Sequence, residues 1–282
     1  MKKTPFTPLV VVLLLELCVG AAFGQTGSGT PVATGKVSGQ RQIVKIGSVD
    51  YAFRWCAPGT FLMGADPSDA ARFPDEIQHE VTLTQGFWIL ETEVTQKMYT
   101  DTVGDNPSAF SREKFYKPGH DMTELDSWPV ETVSWYDAVS FCRKLTKRLG
   151  ATGFEFRLPT EAQWEYACRA GSRGAFSGPL EQTGWTRVNS HSPAKVGTKK
   201  ANAWGLYDMH GNVFEWCSDW VGPYSKEPVK DPSGPTEGQF KVIRGGAWHH
   251  MPRYARSSFR YDIYFPDSIH SGLGFRVIMI SR

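Results

Sequence analysis

The sequence predicts an α+β domain with a low content of regular secondary structure. Short alternating runs in the first third indicate strands, and two N-capped apolar segments in the middle indicate helices. Aromatic residues make up 13% of the 282 residues, alongside 28 Gly and 18 Pro. A chain of this composition packs many loops around aromatic anchors rather than building long helices.

Length and charge narrow the possible functions. The chain has 31 Lys and Arg against 29 Asp and Glu, and its length fits one large domain or two small ones. A near-neutral balance gives no reason to expect a nucleic-acid or membrane-surface partner. No basic run with interleaved aromatic residues is present, so we expect no nucleic acid among the partners.

The first residues predict export. Lys2 and Lys3 precede an apolar run at 9–15, a pattern typical of a secretory signal peptide, here at 1–24. The run is too short for a membrane-spanning helix. We therefore expect a secreted or periplasmic protein with no stable membrane span after cleavage.

The residues around the cleavage site leave one alternative open. A lipid anchor on Cys18 is less favoured, because Leu17 is a poor match to the small residue that precedes a lipidated cysteine. Residues 25–42 are rich in Gly, Ser and Thr and predict a flexible linker. The domain itself is expected at 43–282.

Four cysteines remain after the signal peptide, and export makes disulfides between them feasible. Their spacing leaves all three pairings open. No CxxC pair occurs, so a structural zinc site is not expected. The four are Cys56, Cys142, Cys168 and Cys217.

The first third of the domain predicts short strands. The run at 79–84 alternates strictly between polar and apolar residues, so one of its faces should be buried. A turn at Pro58-Gly59 precedes another apolar run. The expected elements are strands at 42–53, 60–64, 79–84 and 86–93, then a short helix that Thr95 caps and that runs to about residue 103.

Two helices in the middle are clearly marked. Ser134 is a good N-cap with Asp137 as its capping-box partner, and Gly150 ends the apolar periodicity. Thr160 and Gln163 form the same pair at the start of the second helix.

Regular structure thins out in the last part of the chain. Gly, Pro, Ser and Thr dominate residues 172–198, which predicts long loops. Strands are expected at 213–216 and 241–244, on either side of a Pro-rich loop at 223–235. A terminal strand at 274–279 is expected to pair near the N-terminal one.

The stretch at 205–220 concentrates carboxylates and aromatic residues. Asp208 and Glu215 bracket a turn at Gly211-Asn212, where the backbone needs conformational freedom. Two carboxylates around turn carbonyls suit calcium. The alternative is a buried aromatic turn whose acids accept hydrogen bonds from N–H groups or Arg, and the residues alone leave both open.

The order of motifs resembles a known family. The motifs are GTFLMG at 59–64, EVT at 93–95, PV and VSW between 129 and 135, RLPTEAQWEYA at 157–167, GLYDMHGNVFEW at 205–216, RGGAW at 244–248 and GFR at 274–276. They resemble the formylglycine-generating enzyme, or sulfatase-modifying factor, domain over about residues 43–282. The resemblance implies a variant of the C-type lectin-like fold with bound calcium.

The resemblance also implies the ligands of one calcium ion. By position these are the carboxylates of Asp208 and Glu215 and the backbone carbonyls of Gly211 and Val213, all of them oxygens. A second calcium site of the family is not expected, because the loop at 189–196 contains no acid.

The catalytic cysteines of the family are missing. Its enzymes hold copper(I) on two cysteines after the Arg-Gly-Gly motif, and soft thiolates suit that ion. The last cysteine here is Cys217, and Ala247 replaces the Ser that usually follows the Gly pair. Copper and formylglycine production by the thiolate mechanism are therefore not expected. The residues favour a non-catalytic lectin-like binding or scaffold protein.

The segment after the Gly pair supplies the candidate binding pocket for a peptide, glycan or protein ligand. The Arg residues among its candidates have an alternative role, which we favour, as buried partners that tie loops together. The candidates are Trp248, His249, His250, Arg253, Arg256 and Arg260.

Two enzyme hypotheses are the alternatives. One is a metal-dependent oxidoreductase using His249, His250 or Met251 as a non-cysteine site. Adjacent residues on an extended chain point to opposite faces, so we expect His249 and His250 not to share a metal. The other, ranked last, is a formylglycine generator with a different site.

Three further charged residues are expected to be structural. Arg276 should lock the terminal strand to the core. Glu161 and Glu165 lie one helical turn apart, and we expect each to be a cap or an ion-pair partner rather than half of an acid–base pair.

Overall fold

The computed structural model describes residues 34–114 and 122–281. The predicted signal peptide at 1–24 lies outside these residues, as does the first half of the predicted linker. Strand β1 begins at Arg41, inside the stretch expected to be linker. Among the described residues, no helix is long and apolar enough to cross a membrane.

Strands and helices are interleaved along the chain, and most described residues lie outside both. The α+β class with little regular structure is therefore confirmed. In chain order the strands are β1 (Arg41–Ile46), β2 (Val49–Cys56), β3 (Gly59–Met63), β4 (His79–Leu83), β5 (Phe87–Leu90), β6 (Phe154–Arg157), β7 (Gly184–Trp185), β8 (His210–Gly211), β9 (Phe214–Trp220), β10 (Val229–Lys230), β11 (Lys241–Arg244), β12 (Tyr261–Tyr264), β13 (Leu273–Gly274) and β14 (Ile278–Ser281). The α-helices are α1 (Gln96–Val103), α2 (Trp135–Leu149), α3 (Glu161–Arg169) and α4 (Leu180–Thr183), with 3₁₀ turns at Met122–Ser127 and Pro252–Ala255.

The helix caps follow the sequence closely. Thr95 accepts a hydrogen bond from the backbone of Met98 at the start of α1. Ser134 with Asp137, and Thr160 with Gln163, form complete capping boxes on α2 and α3. Each box satisfies backbone N–H groups that a helix start leaves open, which fixes where α2 and α3 begin.

The prediction of the N-terminal strand is wrong in one respect. The expected single strand at 42–53 is two strands, β1 and β2, paired antiparallel with Ile46 opposite Val49. Gly47 adopts φ +62° in the two-residue turn between them, a conformation that Gly adopts at no steric cost. The Gly-Ser pair at 47–48 was the missed hairpin signal.

The main sheet joins distant parts of the chain. Its order is β1-β2-β5-β14-β6, and each neighbouring pair is antiparallel. The single terminal strand predicted at 274–279 is wrong: Leu273–Gly274 forms β13, which pairs with β9, whereas β14 shares the main sheet with β1 and β2 and pairs directly with β5 and β6. A second sheet, of order β12-β11-β9-β13, carries the aromatic turn region.

Large aromatic side chains form much of the core, together with aliphatic ones. Trp88, Trp164 and Trp216 are fully buried, and each such burial contributes on the order of 2–3 kcal/mol. Tyr99 stacks on Phe141 with ring centroids 5.6 Å apart, which packs α1 against α2. Aromatic packing thus joins the helices α1 and α2 within the core.

The four described cysteines form no disulfide among themselves and are all buried. Burial raises the pKa of each thiol, that of Cys168 to about 12. Buried thiols with raised pKa values are poor nucleophiles and poor metal ligands. They act here as small apolar core residues.

Candidate functional site

The turn at Gly211-Asn212 has the strained geometry that its residues suggest. Asp208, Gly211 and Asn212 adopt φ +57°, +102° and +60°. A Cβ atom on Gly211 would lie 1.8 Å from the backbone oxygen of Trp185, so glycine alone fits. This close approach lets β8 pair with β7 and holds Asp208 against the core.

Two carboxylates in this region have buried oxygens without partners. Asp208 accepts one hydrogen bond through Oδ2, from the backbone N–H of Gly197 at 2.7 Å. Its Oδ1, and both oxygens of Glu93, are buried with no hydrogen-bond partner in the described structure. Burial first, then neighbouring carboxylates, raises the pKa of Glu93 well above its usual range, and burial raises that of Asp208 to about 6.

Glu93 was not assigned a role from sequence. It opens the EVT motif soon after β5, and that position in a motif was the available signal. Glu93 is fully buried, which is rare for a glutamate that is not paired. The structure brings it into the electrostatic field of Asp208 and Glu215.

Glu215 is already engaged by cationic and neutral donors. Arg276 donates to both of its oxygens, Nε to Oε2 and Nη2 to Oε1, each at 2.6 Å. The indole Nε1 of Trp164 donates to Oε2 at 2.7 Å. Glu215 therefore follows the alternative to a calcium ligand: it is a buried acid that accepts hydrogen bonds from Arg and an N–H group. Arg276 also donates to the carbonyls of Leu90 and Glu91 at 3.2 and 3.3 Å, so it does lock the terminal segment to the core.

The buried negative charge in this region exceeds the buried positive charge, which would favour a bound cation. Three buried carboxylates face one buried guanidinium, that of Arg276. Among the described residues, no three His, Cys, Asp or Glu side chains are grouped to hold a metal ion. A cation at Glu93 and Asp208 would therefore need backbone carbonyls as further ligands, and calcium accepts these readily. The open carboxylate oxygens of Glu93 and Asp208 are of the ligand type that hard divalent cations prefer.

The imidazoles of His249 and His250 lie together and do not point to opposite faces as residues of an extended chain would. The ring centroids of His249 and His250 are 4.3 Å apart, and His270 lies 5.0 Å from His249. The two adjacent rings meet because residues 248–250 form a turn rather than an extended strand. The Nδ1 atoms of His249 and His250 are buried without a partner in the described chain.

The surroundings of His249 and His250 keep both rings neutral and pack them against other aromatic side chains. Burial lowers the pKa of His249 and of His250 to about 4. His250 packs edge-on against Phe214 at 4.9 Å. The rings of Trp248 and Phe110 pack edge-on with their centroids 5.7 Å apart. The indole Nε1 of Trp248 donates to the carbonyl of Ser271 at 3.3 Å. His249 and His250 are therefore half-buried neutral rings beside Trp248.

The arginines of the candidate pocket are not grouped with the histidines. Arg256 is 2% exposed and donates through Nη1 to Glu76 at 2.7 Å. Arg260 is 6% exposed and donates to both oxygens of Glu161, at 2.9 and 2.7 Å. Arg253 lies 4.3 Å from the centre of the Phe73 ring. Arg256 and Arg260 are therefore buried ion-pair partners that tie loops together, the role that the sequence favours.

Arg244 anchors the segment that carries the histidines. Its guanidinium pairs with Glu161 and Glu165 of α3. It also donates to the carbonyls of Ser257 and Ser258 at 2.7 and 2.9 Å. Glu161 and Glu165 are thus ion-pair partners, as expected. The two ends of the loop at 245–257 are held together by one buried cation.

Fold and site together define a mixed α+β domain whose loops are tied by buried arginine–carboxylate pairs. A family model described as the sulfatase-modifying factor enzyme 1-like domain matches residues 52–280. The chain belongs to this family, and the resemblance inferred from its motifs is confirmed.

Three relatives show the range of the family. The formylglycine-generating enzyme of Streptomyces coelicolor is 39% identical over 183 residues, which cover 55% of this chain and 54% of that protein. Chaperone protein LppX of Paenibacillus barcinonensis is 30% identical over 240 residues, covering 66% of this chain and 76% of that protein. The solved structure of Treponema denticola variable protein 1 has a TM-score of 0.76 and 30% identity, covering 84% of this chain and 98% of that one.

Proposed function

We propose that this is an exported, non-catalytic binding protein built on a variant of the C-type lectin-like fold. The observation that carries the proposal is the ring cluster of Trp248, His249, His250 and His270. It stands in the segment where family enzymes hold copper on two cysteines, and the chain has no cysteine after Cys217. A relative described as a chaperone supports a role in binding rather than oxidation.

The chemistry of the cluster indicates its ligand. Aromatic rings that keep a polar edge are enriched at the centres of protein interfaces. Trp248 and the two half-buried histidines offer such rings beside the exposed side chain of Met251. Of a peptide, glycan or protein ligand, the cluster favours a peptide or a protein loop.

Replacing Trp248 by alanine is expected to weaken this binding strongly. Peptides selected from a displayed library on the wild-type protein should bind the variant about 30-fold more weakly, the loss typical of a central aromatic anchor. Fluorescence anisotropy with the selected peptides measures the change. Tyr136→Ala removes a ring that is 57% exposed on α2 and is the matched control. Peptides that bind Trp248→Ala and the wild type equally would refute the proposed site.

The oxidoreductase alternative rests on one observation, the two adjacent imidazoles with unpartnered Nδ1 atoms. Metal analysis of the purified protein separates the two functions. The binding proposal expects little copper or iron and no aldehyde after incubation with a sulfatase peptide under oxygen. Stoichiometric redox metal that disappears in His250→Ala would favour the oxidoreductase instead.

We propose calcium as a structural ion beside the aromatic turn. Glu93 and Asp208 would hold it with their unpartnered carboxylate oxygens, together with the carbonyls of Gly211 and Val213. Glu215, saturated by Arg276 and Trp164, would act through charge rather than as a direct ligand. When bound, the ion supplies positive charge that offsets the buried carboxylates.

Chelation is expected to destabilise the protein. At free calcium of about 100 times the Kd, binding adds about 2.7 kcal/mol to the free energy of unfolding. Thermal unfolding in excess EDTA should therefore occur at a clearly lower temperature than in calcium chloride. In Glu93→Gln the difference should shrink to near zero. Identical unfolding curves with and without calcium in the wild type would rule out the site.

Export is also proposed, on the pattern of residues 1–24. Expressed with its own N-terminus, the protein should be recovered outside the cytoplasm. The mass of the mature chain should place its first residue near position 25. A cytoplasmic protein that retains Met1 or Lys2 would contradict the proposal.

A further inference from the structure

A second ring-lined site lies on the face formed by β3 and the end of α3. Phe61, Tyr166 and Trp204 line a cavity of about 400 Å³. Phe61 and Tyr166 have ring centroids 5.1 Å apart, and Tyr166 and Trp204 4.8 Å apart. The Tyr166 hydroxyl donates to the carbonyl of Ala57 at 3.1 Å. A Cβ on Gly59 would lie 2.4 Å from that hydroxyl, so this glycine leaves the space in which Tyr166 is held.

Polar side chains around these rings lack partners. The side chains of Gln78, Glu80 and Arg173 line the cavity and make no hydrogen bond or ion pair within residues 34–114 and 122–281. The hydroxyl of Ser172 is buried there, also without a partner in that part of the chain. Arg169 in the same wall already donates hydrogen bonds to a glutamate and to two backbone carbonyls. Free donors and acceptors therefore surround the aromatic wall.

A second hollow adjoins this cavity. An adjoining space of about 250 Å³ shares Asp66, Arg169 and Arg173 with the first. The aromatic wall lies at one end, and the shared charged side chains lie where the two hollows meet. A groove of this form suits a ligand longer than a single ring.

The chemistry of the groove selects among ligand classes. The negative faces of aromatic rings attract the weakly positive C–H groups of a pyranose, and its hydroxyls pair with carboxylate, amide and guanidinium groups. Nucleic acid would require net positive charge for its phosphates, whereas Asp66 and Glu80 outnumber the unpartnered Arg173. We propose that this groove binds neutral oligosaccharides, independently of the Trp248 cluster.

Saturation-transfer NMR with cellotriose, chitotriose, maltotriose and mannotriose tests the proposal, with affinities measured by titration calorimetry. At least one trisaccharide should bind the wild type. Trp204→Ala should weaken that binding by about tenfold or more, consistent with loss of a stacking ring. Glu80→Gln should weaken it by about threefold, because a charged acceptor becomes neutral.

Variants with retained rings keep the test independent of folding. Trp204→Phe should bind more tightly than Trp204→Ala, with both giving the circular dichroism of the wild type. Tyr136→Ala and Trp248→Ala should bind as the wild type does. The proposal is overturned if none of the four sugars binds, or if Trp204→Ala binds equally well. It is also overturned if Trp248→Ala abolishes sugar binding, or if oligothymidylate binds in a Trp204-dependent way.

Discussion

Replacing Arg276 by methionine is expected to lower the free energy of unfolding by about 3–5 kcal/mol, the range for removing one partner of a buried ion pair. Arg276 is 0% exposed and makes two 2.6 Å hydrogen bonds to Glu215. Methionine fills similar volume but leaves that carboxylate with only the Trp164 indole as a direct donor. Glu93 and Asp208 would also lose the favourable field of the guanidinium. Denaturant unfolding measures the change, and the melting temperature should fall by roughly 10 °C.

A double-mutant cycle checks the cause. Glu215→Gln combined with Arg276→Met removes both charges, so the double variant should lose less stability than the two single losses added together. Arg143→Met is the matched control, because the Arg143 side chain is exposed and makes no ion pair or hydrogen bond in the described chain. Its stability should stay within about 0.5 kcal/mol of the wild type. A loss below 1 kcal/mol in Arg276→Met would contradict the assigned role.

Asp219→Asn is expected to stabilise the protein at pH 8 and to have little effect at pH 4. Burial, and then the neighbouring Glu161, raises the pKa of Asp219 to about 7 from 3.8. The folded state therefore binds its proton more tightly than the unfolded state does. The contribution of this carboxyl to stability is fully present below pH 4 and is lost as the pH rises through about 7. The shift corresponds to about 4 kcal/mol for a single group.

The surroundings of Asp219 justify asparagine as the replacement. Its Oδ2 accepts from the backbone N–H of Glu161 at 3.0 Å and from the Ser218 hydroxyl at 2.9 Å, and an amide oxygen can accept both. Lys241 is the facing cation that offsets part of the burial cost. Unfolding free energies across pH 4–8 give the test, with the exposed Asp262→Asn as the control. A variant less stable than the wild type at pH 8 would show that Asp219 is ionised and favourable there.

Local signals in the sequence were reliable where a few neighbouring residues decide the structure. The capping boxes at Ser134 and Thr160 set the starts of α2 and α3, since the bonds involved span three residues. The turn at Gly211 was recognised for the same reason, because its backbone conformation excludes other residues. The family and the α+β class followed from the order of such local motifs.

Features that depend on distant partners could not be read in this way. Glu93 and Asp208 are 115 positions apart, and only the fold places their open oxygens in one buried region. The separation of the four cysteines on β2, α2, α3 and β9 likewise depends on packing. The adjacency of His249 and His250 required knowing that the chain turns there. Single-residue alternation, the rule used for extended chains, does not apply in a turn.

The position of β14 has a consequence for how the molecule forms. Ile278–Ser281 lies between β5 and β6, so within the described residues β14 joins a strand from the first third of the sequence to one from its middle. During synthesis the facing edges of β5 and β6 stay unpaired until β14 leaves the ribosome. Such long sequence separation slows folding and exposes strand edges to aggregation. The nascent chain is therefore expected to depend on holding factors until β14 has emerged.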